Sequence, residues 1–159
     1  MKRFTLLLLV IILLLNGCKK SESSNQINGV TGISWQMFGM RKYSEMFLSP
    51  TPMNWYLKLN TDNTFTFSLH DSISTGTYTW SQIDSINALV CFSIQQWKAS
   101  ISDTAYTNRL KYILSNVDSC RYLNRVNDIY NPVGNFDLPP NTKGLWFYSD
   151  KGWAQVINY

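Results

Sequence analysis

Few side chains in this 159-residue chain are suited to acid–base, nucleophilic or metal chemistry, and their spacing matches no catalytic constellation. His70 is the single histidine, which excludes any site built on two imidazoles. As a lone general base it needs an orienting partner, and the adjacent Asp71 projects to the opposite face if both lie in a strand. His70 therefore reads as a solvent-facing strand end. The aspartates Asp62, Asp71, Asp84, Asp103, Asp118, Asp128, Asp137 and Asp150 mostly fall at expected turns and caps, where a short carboxylate bonds its own backbone. There is no Gly-x-Ser-x-Gly elbow, no phosphate-cradling glycine loop and no His-Glu-x-x-His. The expectation is a protein that is not an enzyme and carries no cofactor.

Cys91 and Cys120 lack the neighbouring histidines or further cysteines that a four-ligand zinc site requires, so no metal is expected. In an oxidising compartment they would pair as a disulfide closing a loop of about 30 residues. As buried thiols they would simply pack as small apolar groups, and both readings stand at this point. The richest resource is aromatic: Trp35, Trp55, Trp80, Trp97, Trp146 and Trp153. Such side chains fill β-cores and bury large areas. Lining a groove, they would stack on sugar rings or take an acyl chain. Tyr130 and Phe136 are the candidate ligand or partner contacts, because they lie in a stretch of Asn, Asp and Pro with little local reason to be apolar.

Cys18 belongs to a different chemistry. Met1-Lys2-Arg3 is a basic start, and Leu6 to Leu15 is an unbroken apolar run that stops at Asn16-Gly17-Cys18. That run is shorter than the about 20 residues of a membrane-spanning helix and has the order of a cleaved secretory signal. Leu15-Asn16-Gly17-Cys18 resembles the bacterial lipobox, in which a small residue precedes the cysteine that receives a diacylglyceryl thioether before the leader is cut. The resemblance implies a signal peptide over residues 1–17 and lipid attachment at Cys18. The membrane is then a partner held by acyl chains, each buried methylene contributing about 0.8 kcal/mol. Lys19 stands where Asp would resemble an inner-membrane retention signal, which favours the outer membrane of a bacterial envelope. Residues 18–28 contain almost nothing apolar and read as a flexible tether.

Loss of the leader leaves 142 residues, the length of one compact domain, expected over 29–159. At 45% hydrophobic and 15% charged, the chain is too apolar for a disordered tail. With Lys2 and Arg3 gone, twelve Lys and Arg stand against ten Asp and Glu. That small excess disfavours a nucleic-acid partner.

Period-2 alternation dominates the elements that must position these groups. Trp55, Leu57 and Leu59 alternate with polar residues, Thr61-Asp62-Asn63 supplies a turn, and Phe65, Phe67 and Leu69 continue on the far side as a hairpin. A loop over Asp71 to Ser74 leads to a strand from Thr75 to Trp80, with Gly76 at a bulge or close approach. Ala88 to Ile94 reads as a strand covered on both faces. Tyr106, Leu110, Ile113, Leu114 and Val117 then form one helical stripe, with Ser102 or Asp103 as N-cap. Cys120 to Val126 is a further strand, 127–143 is too broken for regular structure, and Gly144 to Tyr148 with Trp153 to Tyr159 forms a closing hairpin. The expected fold is mainly β, a small antiparallel β-barrel or curved meander sheet with one amphipathic helix plugging its open side.

The order Gly32-Ile33-Ser34-Trp35, Leu57 to Phe67, Gly76-Thr77-Tyr78, the Tyr106–Val117 helix and the Leu145–Ile157 hairpin resembles the META domain of bacterial outer-membrane lipoproteins. That resemblance implies a non-enzymatic envelope protein with a support, stress-related or interaction role. The early Gly and Trp followed by a meander also resemble a lipocalin-like lipoprotein. This second resemblance implies a carrier of a small apolar ligand, beside which a glycan-binding module is the further alternative.

Overall fold

A computed structural model describes residues 29–45, 54–70, 72–99, 104–124, 129 and 138–158. Eight strands follow one another in an antiparallel meander: β1 (Ser34–Lys42), β2 (Trp55–Leu59), β3 (Thr64–Leu69), β4 (Ser72–Gln82), β5 (Asn87–Gln96), β6 (Ser119–Leu123), β7 (Lys143–Tyr148) and β8 (Gly152–Asn158). Each pairs with its sequence neighbour, and β8 pairs back onto β1, so the sheet is a closed barrel with strand order 1 to 8. Closure removes the unpaired edges that an open sheet would present. One helix, α1 (Thr104–Asn116), lies between β5 and β6.

The β2–β3 hairpin forms as its alternation requires. Leu57 faces Phe67 and Leu59 faces Phe65 across the ladder, and both pairs point inward. Asn63 takes a left-handed φ of 62° at the turn. The Asp62 carboxylate accepts bonds there from the Thr64 amide at 3.0 Å and the Thr64 hydroxyl at 2.6 Å. Burial of inward aromatics follows around the wall: Phe65 meets Phe92 edge to face at 5.2 Å, and Phe92 meets Phe147 at 5.4 Å. Trp35, Met37, Met40, Trp55, Leu145 and Val156 fill the remaining interior.

Both barrel ends are closed. At one, the Trp35 indole donates to the Val30 carbonyl at 2.9 Å, and the Gly32 amide donates to Leu59 O at 2.8 Å. This carries Val30 into the core. At the other, α1 crosses from β5 to β8 and β1. Leu110, Ile113 and Leu114 of its stripe enter the same core. The helix thus closes an end of a complete barrel, where the sequence reading had it plug an open side. Arg109, on the polar flank, bonds Glu45 beyond the end of β1. Trp97 stacks on Phe67 with ring centres 5.9 Å apart.

Three sequence expectations change. Strand β4 begins at Ser72, so Ser72 to Ser74 of the expected loop are strand. The cause is Ser74, which points inward fully buried, its hydroxyl accepting from the Lys98 amide at 2.9 Å. A polar residue on the core face hides the alternation. Strand β5 is covered on one face: Ala88, Val90 and Phe92 are buried, while Leu89 is 53% exposed. The strand buried on both faces is β8, from Gly152 to Ile157. Strand β1 has no clean period because a bulge between Met37 and Gly39 shifts its register. The expected N-cap at Ser102 or Asp103 lies outside the described residues.

Candidate outer-wall site

The burial of β8 on both faces locates the site. Ala154 and Val156 belong to the barrel core, so alternation turns Trp153, Gln155 and Ile157 outward. Yet Gln155 and Ile157 are almost fully buried and Trp153 is 6% exposed. On the outer side, Ile157 joins Phe38 of β1 and Leu123 of β6 in a second apolar cluster. Ile129 and Leu138 complete it, and Trp146 of β7 packs against it. An exterior barrel face built this way is an unusual use of apolar surface, since outward positions of a barrel in water are normally polar.

Higher on the same wall the cluster turns polar. Register places Gln155 between Trp146 on β7 and Gly39 on β1, and Arg41 opposite Trp153. The indoles of Trp146 and Trp153 meet edge to face at 6.0 Å and 77°. Among the described residues, the buried Gln155 Oε1 and Nε2, Trp146 Nε1 and Arg41 Nε find no hydrogen-bond partner. Natural interiors satisfy nearly all such atoms, and four orphans on neighbouring positions set this patch apart. Toward the Val30 end, the wall carries an open groove of about 190 Å³, lined by Ser34, Gln36, Tyr56, Ile157 and Asn158.

The described cysteines, His70 and Asp84 singled out from sequence lie elsewhere. Cys91 and Cys120 form no disulfide with each other, which corrects the disulfide reading; Cys120 packs as a buried thiol and Cys91 is half-buried. Cys120 faces Ala88 inside the barrel, while Cys91 alternates with the buried Val90 and Phe92 and points out. The sheet wall therefore separates the two sulfurs. Burial raises the Cys120 thiol well above its ordinary pKa, against a smaller lowering by a Trp146 backbone bond. A thiol held protonated in this way is a poor nucleophile. His70 is exposed at the β3–β4 turn with φ 50°. Asp84 serves the β4–β5 turn, accepting from the Ile86 and Asn87 amides at 2.8 Å each and from Asn87 Nδ2 at 2.7 Å. Cys18, Tyr130 and Phe136 lie outside the described residues.

Of the tryptophans, Trp35, Trp55 and Trp80 fill the interior and Trp97 packs against it. Trp146 and Trp153 face outward, a distinction that composition does not contain. Arg41 and Gln155 escaped the sequence reading altogether. The signal for Gln155 was its place inside the apolar run Trp153-Ala154-Gln155-Val156-Ile157, where a lone amide breaks an otherwise two-sided strand. No group of three or more His, Cys, Asp or Glu able to hold a metal exists among the described residues. No described helix is long and apolar enough to cross a membrane.

No protein-family model matches the chain, and no curated protein matches it. A solved structure that does match is the crystal structure of a DUF4847 family protein from Bacteroides vulgatus ATCC 8482. It is 13% identical over 82% of this chain and 94% of its own, with a TM-score of 0.51. At that identity the likeness concerns the fold: another chain of very different sequence folds in a similar way.

Proposed function

We propose that this protein is a lipid-anchored envelope lipoprotein, held at the outer membrane through Cys18, whose barrel is a non-catalytic binding module working through its outer wall. The observation that carries this reading is the contrast between the barrel's two sides. The interior that a lipocalin-type carrier would keep open is filled by Trp35, Trp55, Phe65, Phe67, Phe92 and Phe147 and closed by α1 and Val30. The outer face of β7, β8 and β1 instead gathers the Trp146 indole N–H, the Gln155 amide and the Arg41 Nε without hydrogen-bond partners among the described residues. Rigid strands are a precise support for such groups. This favours the interaction role implied by the META-like resemblance, and the glycan-binding alternative, over carriage of an apolar ligand. The anchor reading rests on Leu15-Asn16-Gly17-Cys18 and on the ten residues between Cys18 and Gly29. From Cys18 to Gly29 the chain reaches at most about 40 Å when fully extended.

The test pairs localisation with uptake. Expressed in a bacterium that processes lipoproteins, the wild type should fractionate with membranes and incorporate labelled fatty acid. Cys18→Ser should keep its leader or appear in the soluble fraction. The purified soluble domain should show no saturable uptake of a fluorescent fatty acid. Membrane association unchanged by Cys18→Ser would refute the anchor, and stoichiometric fatty-acid binding would return the barrel to the carriers.

A further inference from the structure

The polar cluster on the outer wall specifies the chemistry of its ligand. Gln155 is fully buried, and neither atom of its amide has a hydrogen-bond partner among the described residues. Trp146, its ladder neighbour on β7, brings an indole N–H in the same condition, and Arg41 brings Nε–H from β1. Together these offer one acceptor, the amide oxygen, against donors from the indole, the guanidinium and the amide NH₂. A group that satisfies this set must be rich in oxygen acceptors, must carry negative charge to answer Arg41, and must supply a hydroxyl for Gln155 Oε1. Arg41 makes no ion pair with a described residue. The charge on this wall therefore has no answer from the barrel itself.

The surroundings add shape. Trp146 and Trp153 stand edge to face beside the amide. Indole faces favour rings whose C–H bonds project to one side, while the polar groups around them hold hydroxyls. Trp146 and Arg41 are each only partly buried, while the Nε atoms of both are covered. We propose that Arg41, Trp146 and Gln155 form a binding site for a hydroxylated carboxylate of the uronic acid class. Its carboxylate would lie on Arg41 and the Trp146 N–H, with a ring hydroxyl on the Gln155 amide. This deepens the binding-module reading and rests on it.

The probes are D-glucuronate and D-galacturonate, with D-glucose and acetate as neutral-ring and ringless controls, titrated into the purified soluble domain. Tryptophan fluorescence and thermal unfolding are the readouts. Both uronates should give a saturable fluorescence change and raise the unfolding midpoint, and the controls should do neither. Gln155→Leu, Arg41→Met and Trp146→Phe should each weaken uronate binding by about tenfold or more, the range for losing a hydrogen bond to a charged ligand. Lys58→Met, on the solvent side of β2, should leave it unchanged. Gln155→Leu separates a ligand site from a structural one, because an apolar isostere removes two unmade bonds and should leave the unliganded midpoint level or higher. The proposal falls if the wild type shows no saturable uronate response. It falls equally if Gln155→Leu lowers the unliganded midpoint while leaving uronate binding intact, since the amide would then be bonded within the chain. Equal binding of acetate would replace the sugar by a plain carboxylate and overturn the class. Soluble domain is used throughout, so a failed Cys18→Ser experiment bears on the anchor and not on this site.

Discussion

Gly76→Ala tests the packing of the barrel at the most tightly enclosed of its described glycines. Gly76 sits at the register shift where β4 meets β5. An added Cβ would lie 2.2 Å from the Ser93 carbonyl oxygen and 2.6 Å from Phe65 Cε1. Ordinary carbon–oxygen contact is about 3.3 Å, so the methyl overlaps a backbone atom by roughly 1 Å. The Phe65 ring has little room to yield, being fully buried and fixed edge-on to Phe92. Overpacking of this kind costs about 1–3 kcal/mol. The restricted unfolded chain of the alanine variant offsets no more than about 1 kcal/mol. Because backbone takes part in the clash, the net loss should be about 1–3 kcal/mol, read as a lower urea midpoint at unchanged slope. Combining Gly76→Ala with Phe65→Leu should cost less than the sum of the two singles, since the smaller side chain removes the ring contact and leaves the carbonyl contact. A variant as stable as wild type, or strict additivity in the double variant, would refute this packing.

Leu110→Ala should lose about 2–5 kcal/mol, because the residue is fully buried where α1 closes the barrel. Arg109→Ala breaks its pair with the partly exposed Glu45 and should cost under about 1 kcal/mol, so comparable urea midpoints for the two variants would contradict the placement of the stripe. With no disulfide between them, mass spectrometry of denatured, unreduced protein should find both Cys91 and Cys120 alkylated. In native protein Cys120 should resist alkylation, its thiol buried and held protonated. The bonds from Asn87 and Ile86 hold the Asp84 carboxyl below its ordinary value. A folded-state pKa below the unfolded one gives stability that is present above about pH 4 and lost as pH falls through the folded value. The unfolding midpoints of wild type and Asp84→Ala should therefore differ at neutral pH and converge in acid, and a gap constant down to strong acid would count against the turn.

Much of the barrel was legible in the residues because its physics is local. The β2–β3 hairpin follows from alternation on either side of Thr61-Asp62-Asn63, whose short side chains satisfy the turn's own backbone. The helix follows from a stripe of period 3.6, and the last hairpin from Ser149-Asp150-Lys151 between apolar runs. Gly76 could be marked as a close approach because glycine inside a strand pattern has few other reasons to be there. Closure of β8 onto β1 was not legible, since that pairing joins residues more than a hundred positions apart and no local pattern encodes it. The faces were not legible either. A run such as Trp153 to Ile157 states that a strand is apolar on both sides and leaves open what covers the outer one, while the bulge at Met37 and Gly39 reverses the alternation of β1 midway. Hence the outward turn of Trp146 and Trp153, the placing of Gln155 and Arg41 on one outer face, and the opposite facing of Cys91 and Cys120 were decided by tertiary structure alone. Each depends on inter-strand register, and a shift of one residue exchanges the core face of a strand for its outer face.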